Sequence, residues 1–244
     1  MEQFYPVFKR ELLAYFRTPV AYVFTVIFLI ASGACTFFIG NFFDSNHAGL
    51  DLFFNFHPWL YLFLVPAVGM RLWAEDRRSG AIELLFSLPM TIGEVVLAKF
   101  AAAWLFIGFA LFLTFPLVIT VNFLGKPDNM VILAGYIGSF LMAGAYLAIS
   151  NLTSALSKNQ VVSFILSCVA CLVMVFMGWG VFSRILSDYL PVGMVDFIVS
   201  LGFVGHFEAI SRGLINFLDI LYFFAVISVA LTATGIVLNR LKVA

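Results

Sequence analysis

Six stretches of this chain contain no Asp, Glu, Lys or Arg: residues 18–43, 52–70, 100–125, 129–157, 159–183 and 220–239. Each is near or above the ~20 apolar residues that cross the ~30 Å hydrocarbon core of a bilayer. In lipid the backbone must satisfy its own polar groups, which leaves helices or closed barrels. Barrel strands are ~10 residues long and alternate in polarity, and these runs do neither. The chain therefore reads as an all-α polytopic membrane protein, one transmembrane domain over 1–244 with six transmembrane helices. Composition agrees. Only 11% of residues are charged, against about a quarter in soluble domains. The formal net charge is zero, so no bulk attraction to nucleic acid is expected.

Lys and Arg set the orientation, because cytoplasmic loops carry their excess. With the N-terminus inside, Lys9, Arg10, Arg17, Arg71, Arg77, Arg78, Lys99, Lys158, Arg240 and Lys242 are cytoplasmic, and Lys126, Arg184 and Arg212 are outside. Both termini then face the cytoplasm. The first apolar run exceeds the 7–15 residues of a signal-peptide core, so it reads as a span. Before it, Phe4, Phe8, Leu12 and Tyr15 share one helical face, with Arg10 and Arg17 opposite. That pattern predicts an interfacial helix over 1–18, broken at Thr18-Pro19.

Between the second and third spans, residues 73–100 hold seven of the 26 charged side chains. Ile82, Leu85 and Phe86 form an apolar stripe against Arg77, Arg78 and Glu83, and Pro89 should end the helix. Thr91 and Glu94 have the spacing of a capping box, and Met90 and Val95 that of a hydrophobic staple. A short amphipathic helix over 75–88, a corner and a capped third span are expected. Such a rigid element, apolar and charged together, reads as a cytoplasmic docking surface.

Residues 184–218 are mostly apolar but interrupted by Pro191, Gly193, Gly202, Gly205 and Gly213. A seventh span there would put Arg240 and Lys242 outside, against the charge rule. A pair of short helices dipping into the outer leaflet satisfies both facts if protein covers the broken backbone. Glu208, Arg212 and Asn216 fall at i, i+4 and i+8, one polar stripe. It reads either as a local ion pair or, together with His206, as the closed outer mouth of a pathway.

Three motifs carry a family resemblance. "EDRRSGAIELLFSLPMTIGEVVLAKF" resembles the coupling segment of ABC-2-type transporter permeases. "SALSKNQVVSFIL" resembles their junction of the fourth and fifth helices. "HFEAISRGLINFLDILYF" resembles the outer hairpin and last helix of the gliding-motility-associated (GldF-like) branch. The resemblance implies an exporter permease in a bacterial-type plasma membrane, paired with a second permease, identical or sibling. Two cytoplasmic ABC ATPase subunits lie beneath, and an extracytoplasmic accessory protein is a further implied partner. It assigns ATPase coupling to Glu75, Arg77, Arg78, Gly80, Glu83, Leu85 and Phe86. ATP and Mg are expected on the partner ATPase and no cofactor in this chain, which has no G-x-x-x-x-G-K-[ST] loop. The competing classes are a structural or assembly subunit without a path and a secondary transporter.

No catalytic constellation is expected. Cys168 and Cys171 lie within a predicted span, where cysteine behaves as a small hydrophobe. His47, His57 and His206 are scattered, without metal-ligand spacing. In the fourth span Ala134/Gly138, Gly135/Ser139, Ser139/Ala143 and Gly144/Ala148 are small-xxx-small pairs that permit close helix approach, read here as packing within the chain.

Overall fold

The structure, a computed structural model, describes residues 4–40, 42, 49–87 and 90–243, and of these the side chains of Val20, Leu84, Phe86, Ser87 and Val243 fall outside the description. His47, Leu88 and Pro89 also lie outside the described residues. Among the described residues every regular element is a helix, in the order α1 (Phe4–Arg17), α2 (Pro19–Ala34) running into a π-helical turn (Cys35–Ile39), α3 (Asp51–Asn55), α4 (His57–Gly69), α5 (Arg71–Ser79), α6 (Ala81–Ser87), α7 (Ile92–Phe112), α8 (Phe115–Leu124), α9 (Asn129–Leu156), α10 (Gln160–Met177), α11 (Gly180–Ser187), α12 (Val192–Ser200), α13 (Phe203–Ser211) and α14 (Phe217–Val243).

Five segments are long and apolar enough to cross a membrane: Ala21–Ile39, Ile92–Leu124, Asn129–Leu156, Gln160–Met177 and Phe217–Lys242. These match five of the six expected spans. The remaining one, over 52–70, is not an unbroken helix. It is interrupted at Phe56, and Pro58 sits in the first turn of α4, where a missing N–H costs nothing. The 13 residues of α4 reach only about 20 Å. Nine of them are buried, as are Phe53 and Phe54 of α3. Broken backbone at membrane depth is tolerated where protein encloses it, and here it does.

The segment after α10 has the expected broken character. Helices α12 and α13 are bent by 66° at a short break, in keeping with a re-entrant pair. Phe203, Phe207 and Ile210 of α13 are buried.

Helix α9 is the axis of the molecule. It packs on α4, α5, α7, α10, α13 and α14, and its small residues are what admit them. A Cβ at Gly135 would lie 2.4 Å from the Phe54 ring, one at Gly138 2.8 Å from Ile210, and one at Gly144 2.8 Å from Trp104. The expected small-residue pairs thus serve contacts within the chain. The amphipathic α1 ends at Thr18-Pro19 as expected. Its inner face lies on α7, where Tyr15 stacks on Phe106 at 5.1 Å and Phe16 meets Phe106 and Phe109 edge-on. Helix α7 is interrupted at Leu113-Thr114 before α8, and Pro116 occupies the first turn of α8.

Candidate coupling site

Helix α5 owes its end to Gly80. This residue has φ 76°, the left-handed conformation that only glycine adopts without strain. The single helix expected over 75–88 is therefore two, α5 and α6, meeting at a corner. Beyond the corner α7 begins with the expected capping box. Glu94 N–H donates to Thr91 Oγ1 and Thr91 N–H to Glu94 Oε2, both at 3.3 Å. Met90 and Val95, the expected staple, line one small cavity with Trp73 and Leu85.

The corner has two faces. Outward, Arg78, Ser79, Gly80, Ala81 and Glu83 are exposed. Inward, α5 is fixed to the end of α9. Ser154 Oγ accepts from the Trp73 N–H at 3.0 Å and the Ala74 N–H at 3.1 Å, and donates to Met70 O at 2.8 Å. The Trp73 indole N–H donates to Asn151 Oδ1. Arg77 donates to Ala155 O in the last turn of α9, where a cation complements the partial negative charge of a helix C-terminus.

A second anchor joins α5 to α7 and α1. Lys99 of α7 is 2% exposed. Its ammonium donates to Asp76 Oδ2 at 2.7 Å and Leu72 O at 2.9 Å, lies 3.4 Å from Glu11 Oε1, and sits 5.1 Å from the Trp73 ring centroid. An ammonium has three N–H donors, and three oxygens surround it. Glu11 also accepts from Arg10 at 2.8 Å, so the four charges balance. Burial acts to raise the Glu11 carboxyl, but the Lys99 and Arg10 cations outweigh it and hold the pKa below the ordinary glutamate value. A depressed carboxylate adds stability above its unfolded pKa and loses it as pH falls through the folded one. The Glu11 contribution to this anchor is therefore lost only at acid pH, as the pH falls through the depressed Glu11 value.

The residues assigned to coupling divide accordingly. Arg78, Gly80 and Glu83 are on the outward face. Glu75 is half-exposed and paired with Arg71 at 3.0 Å. Arg77 turns inward to α9. Leu85 is buried at 8% exposure and borders the small cavity with Trp73 and Val95 rather than water, because α6 folds back at Gly80, while Ile82 of the same stripe is only partly buried. The Phe86 side chain lies outside the described residues. Lys99, Asp76, Glu11 and Trp73 were not singled out by sequence. The place of Lys99 near the end of the segment that resembles the family's coupling region was the one available signal.

At the opposite end, Arg212 pairs with Glu208 at 3.3 Å, both partly exposed. They border a cavity of about 200 Å³ with Asn55, Trp59, Trp179 and Phe207. His206 does not join them. Its Nδ1 lies 2.6 Å from Asp219 Oδ1 and its Nε2 2.9 Å from Ser200 O, with the ring stacked on Tyr222. Asn216 leaves the expected stripe altogether. Helix α13 ends at Ser211 and Gly213 adopts φ 83°, so the i+8 position is off the helix. Asn216 Oδ1 instead accepts from Leu218 N–H at the start of α14. Among the described residues no group of three or more His, Cys, Asp or Glu could hold a metal ion.

The family model described as CcmB protein matches residues 59–218, well over half of the chain and inclusive of α5, α6, Lys99, α9 and the α12–α13 pair. A comparison with curated proteins gives no match. The ABC-2-type architecture stands, while the gliding-motility-associated branch expected from residues 206–224 finds no support.

Proposed function

The chain belongs to the CcmB family, multi-pass, non-catalytic permease subunits of ABC transporters, and from that premise we propose that it couples a cytoplasmic CcmA-type ATPase to export across a bacterial inner membrane. The ATPase docks on the outward corner, Arg78 to Ala81 with Glu83, while ATP and Mg stay with the ATPase. The cargo class we favour is haem, delivered for cytochrome c maturation. A second permease completes the pair of subunits above the two ATPases. The Arg212–Glu208 pair lies beside the outer cavity and holds the outer mouth closed at rest.

One observation carries this reading: an exposed corner of mixed charge stands on an element whose inner face is fixed to the central helix. A surface loop without a partner has no need of such anchoring. The double variant Arg78→Glu/Glu83→Lys leaves every inward contact in place. It should cut ATPase co-purification about thirtyfold, the equivalent of ~2 kcal/mol at an interface. Full retention of the ATPase would remove the docking assignment. ATP-driven haem uptake into inverted vesicles should fall in step, and uptake persisting without a bound ATPase would point to a secondary transporter.

The orientation rests on the basic residues. Single cysteines at Ser79, Lys158 and Lys242 should react with an impermeant reagent only from the cytoplasmic side, and one at Asp128 only from outside. Labelling of position 79 from the outside would invert the arrangement.

A further inference from the structure

We propose that Lys99 is the positioning residue that carries movement of the docked corner into α7 and α1. This inference rests on the coupling reading above and adds the residue through which coupling passes. Two anchors hold α5, and they differ in kind. The one to α9 uses only neutral acceptors on α9: Ser154 on two backbone N–H groups, Asn151 on the indole, Ala155 on Arg77. The one to α7 is a single buried cation between two carboxylates on different helices, Asp76 on α5 and Glu11 on α1.

The two carboxylates make the second anchor suited to motion. Asp76 holds the ammonium at 2.7 Å and Glu11 stands by at 3.4 Å. A shift of α5 away from α7 lengthens the Asp76 contact while Glu11 closes on the same ammonium. Lys99 is thus paired in both positions, and no step leaves a charge buried alone, which is the state an interior penalises most. The four-carbon stem of lysine suits this exchange because the ammonium is a compact point charge with rotatable donors. Trp73 beneath the ammonium belongs to the α9 anchor as well, so both anchors respond to one displacement. An exchange of this kind gives α5 two discrete positions relative to α1, which a two-state transmission needs.

The test uses the complete permease–ATPase complex in nanodiscs, with Cys35, Cys168 and Cys171 replaced by serine or alanine. Spin labels at Phe112 on α7 and Leu133 on α9, both exposed, report the α7–α9 separation with and without ATP and vanadate. The parent complex should show a nucleotide-dependent change in distance. Lys99→Met should keep the ATPase bound within about twofold yet reduce the amplitude of that change at least fivefold. Lys99→Arg should restore more than half of it. If Lys99→Met does not insert, Asp76→Asn and Glu11→Gln serve in its place, each removing one position of the exchange and reducing the amplitude. A full distance change in Lys99→Met, or in both single-carboxylate variants, overturns the proposal, as does the absence of any nucleotide-dependent change in the parent. Failure of the docking reading looks different: there the Arg78→Glu/Glu83→Lys variant keeps its ATPase, whatever the labels show.

Discussion

Trp73→Ala should destabilise the folded protein by about 3–5 kcal/mol, the range for removing a large aromatic from a packed interior. Trp73 has no exposed surface and touches three elements at once: α9 through Asn151, α7 through Lys99, and the α6 cavity through Leu85. Its deletion also strands an amide. Asn151 Nδ2 already lacks a partner, and without the indole its Oδ1 loses one too. The main-chain N–H bonds to Ser154 survive, because they do not depend on the side chain. Trp73→Phe keeps most of the packing and loses only the donor, so its cost should be nearer ~1–3 kcal/mol. Thermal unfolding in detergent micelles distinguishes the two. Equal melting of Trp73→Ala and the parent would show that α5 is held by its backbone alone.

Gly202→Ala should displace the α12–α13 hairpin. A Cβ at this position would lie 2.0 Å from Gly178 N, 2.2 Å from Gly178 Cα and 2.8 Å from Met177 C. All three are main-chain atoms that no rotamer can move aside. Overpacking costs ~1–3 kcal/mol when side chains can yield, and a backbone crossing exceeds that range. Gly205→Ala, three residues on, points into open space and serves as the control. A cysteine at buried Ser211 should become reactive in Gly202→Ala and stay protected in Gly205→Ala. Equal protection in both would show that the crossing of α10 and the hairpin is loose.

The membrane architecture was legible because it depends on runs of one chemical type. Five neutral intervals became helices of span length, and the capping box at Thr91 and Glu94 formed as spaced. The break at Phe56 had one local signal, Pro58, which can kink a helix there. Residues 52–70 look like lipid-facing sequence, and only the enclosing helices show why a broken segment is stable there. The corner at Gly80 was a local signal left unused, and it turned Leu85 from the docking face into the interior. Gly213 likewise removed Asn216 from its stripe. The anchor at Lys99 was beyond local reading. Asp76 lies 23 residues away and Glu11 far earlier in the chain, so a cation that reads as one more cytoplasmic charge is a buried node. The inward turn of Arg77 was beyond local reading for the same reason, since its partner is a carbonyl 78 residues on.

The broken segment α3–α4 has a consequence for biosynthesis. During synthesis it leaves the ribosome well before α9, yet Phe54 packs against Gly135 and Tyr61 donates to or accepts from Ser139 at 2.7 Å. Tyr146 closes the same joint by donating to Pro58 O at 2.9 Å. Until α9 is threaded into the bilayer, the interruption at Phe56 has no protein wall, and only local bonds such as that between His57 Nδ1 and Phe53 O at 2.9 Å satisfy its backbone in lipid. The nascent second span must therefore wait at the insertion machinery, in an aqueous or chaperoned niche, for the fourth to arrive. Assembly of this permease is in that sense ordered from the middle outward, although its chain is made from one end.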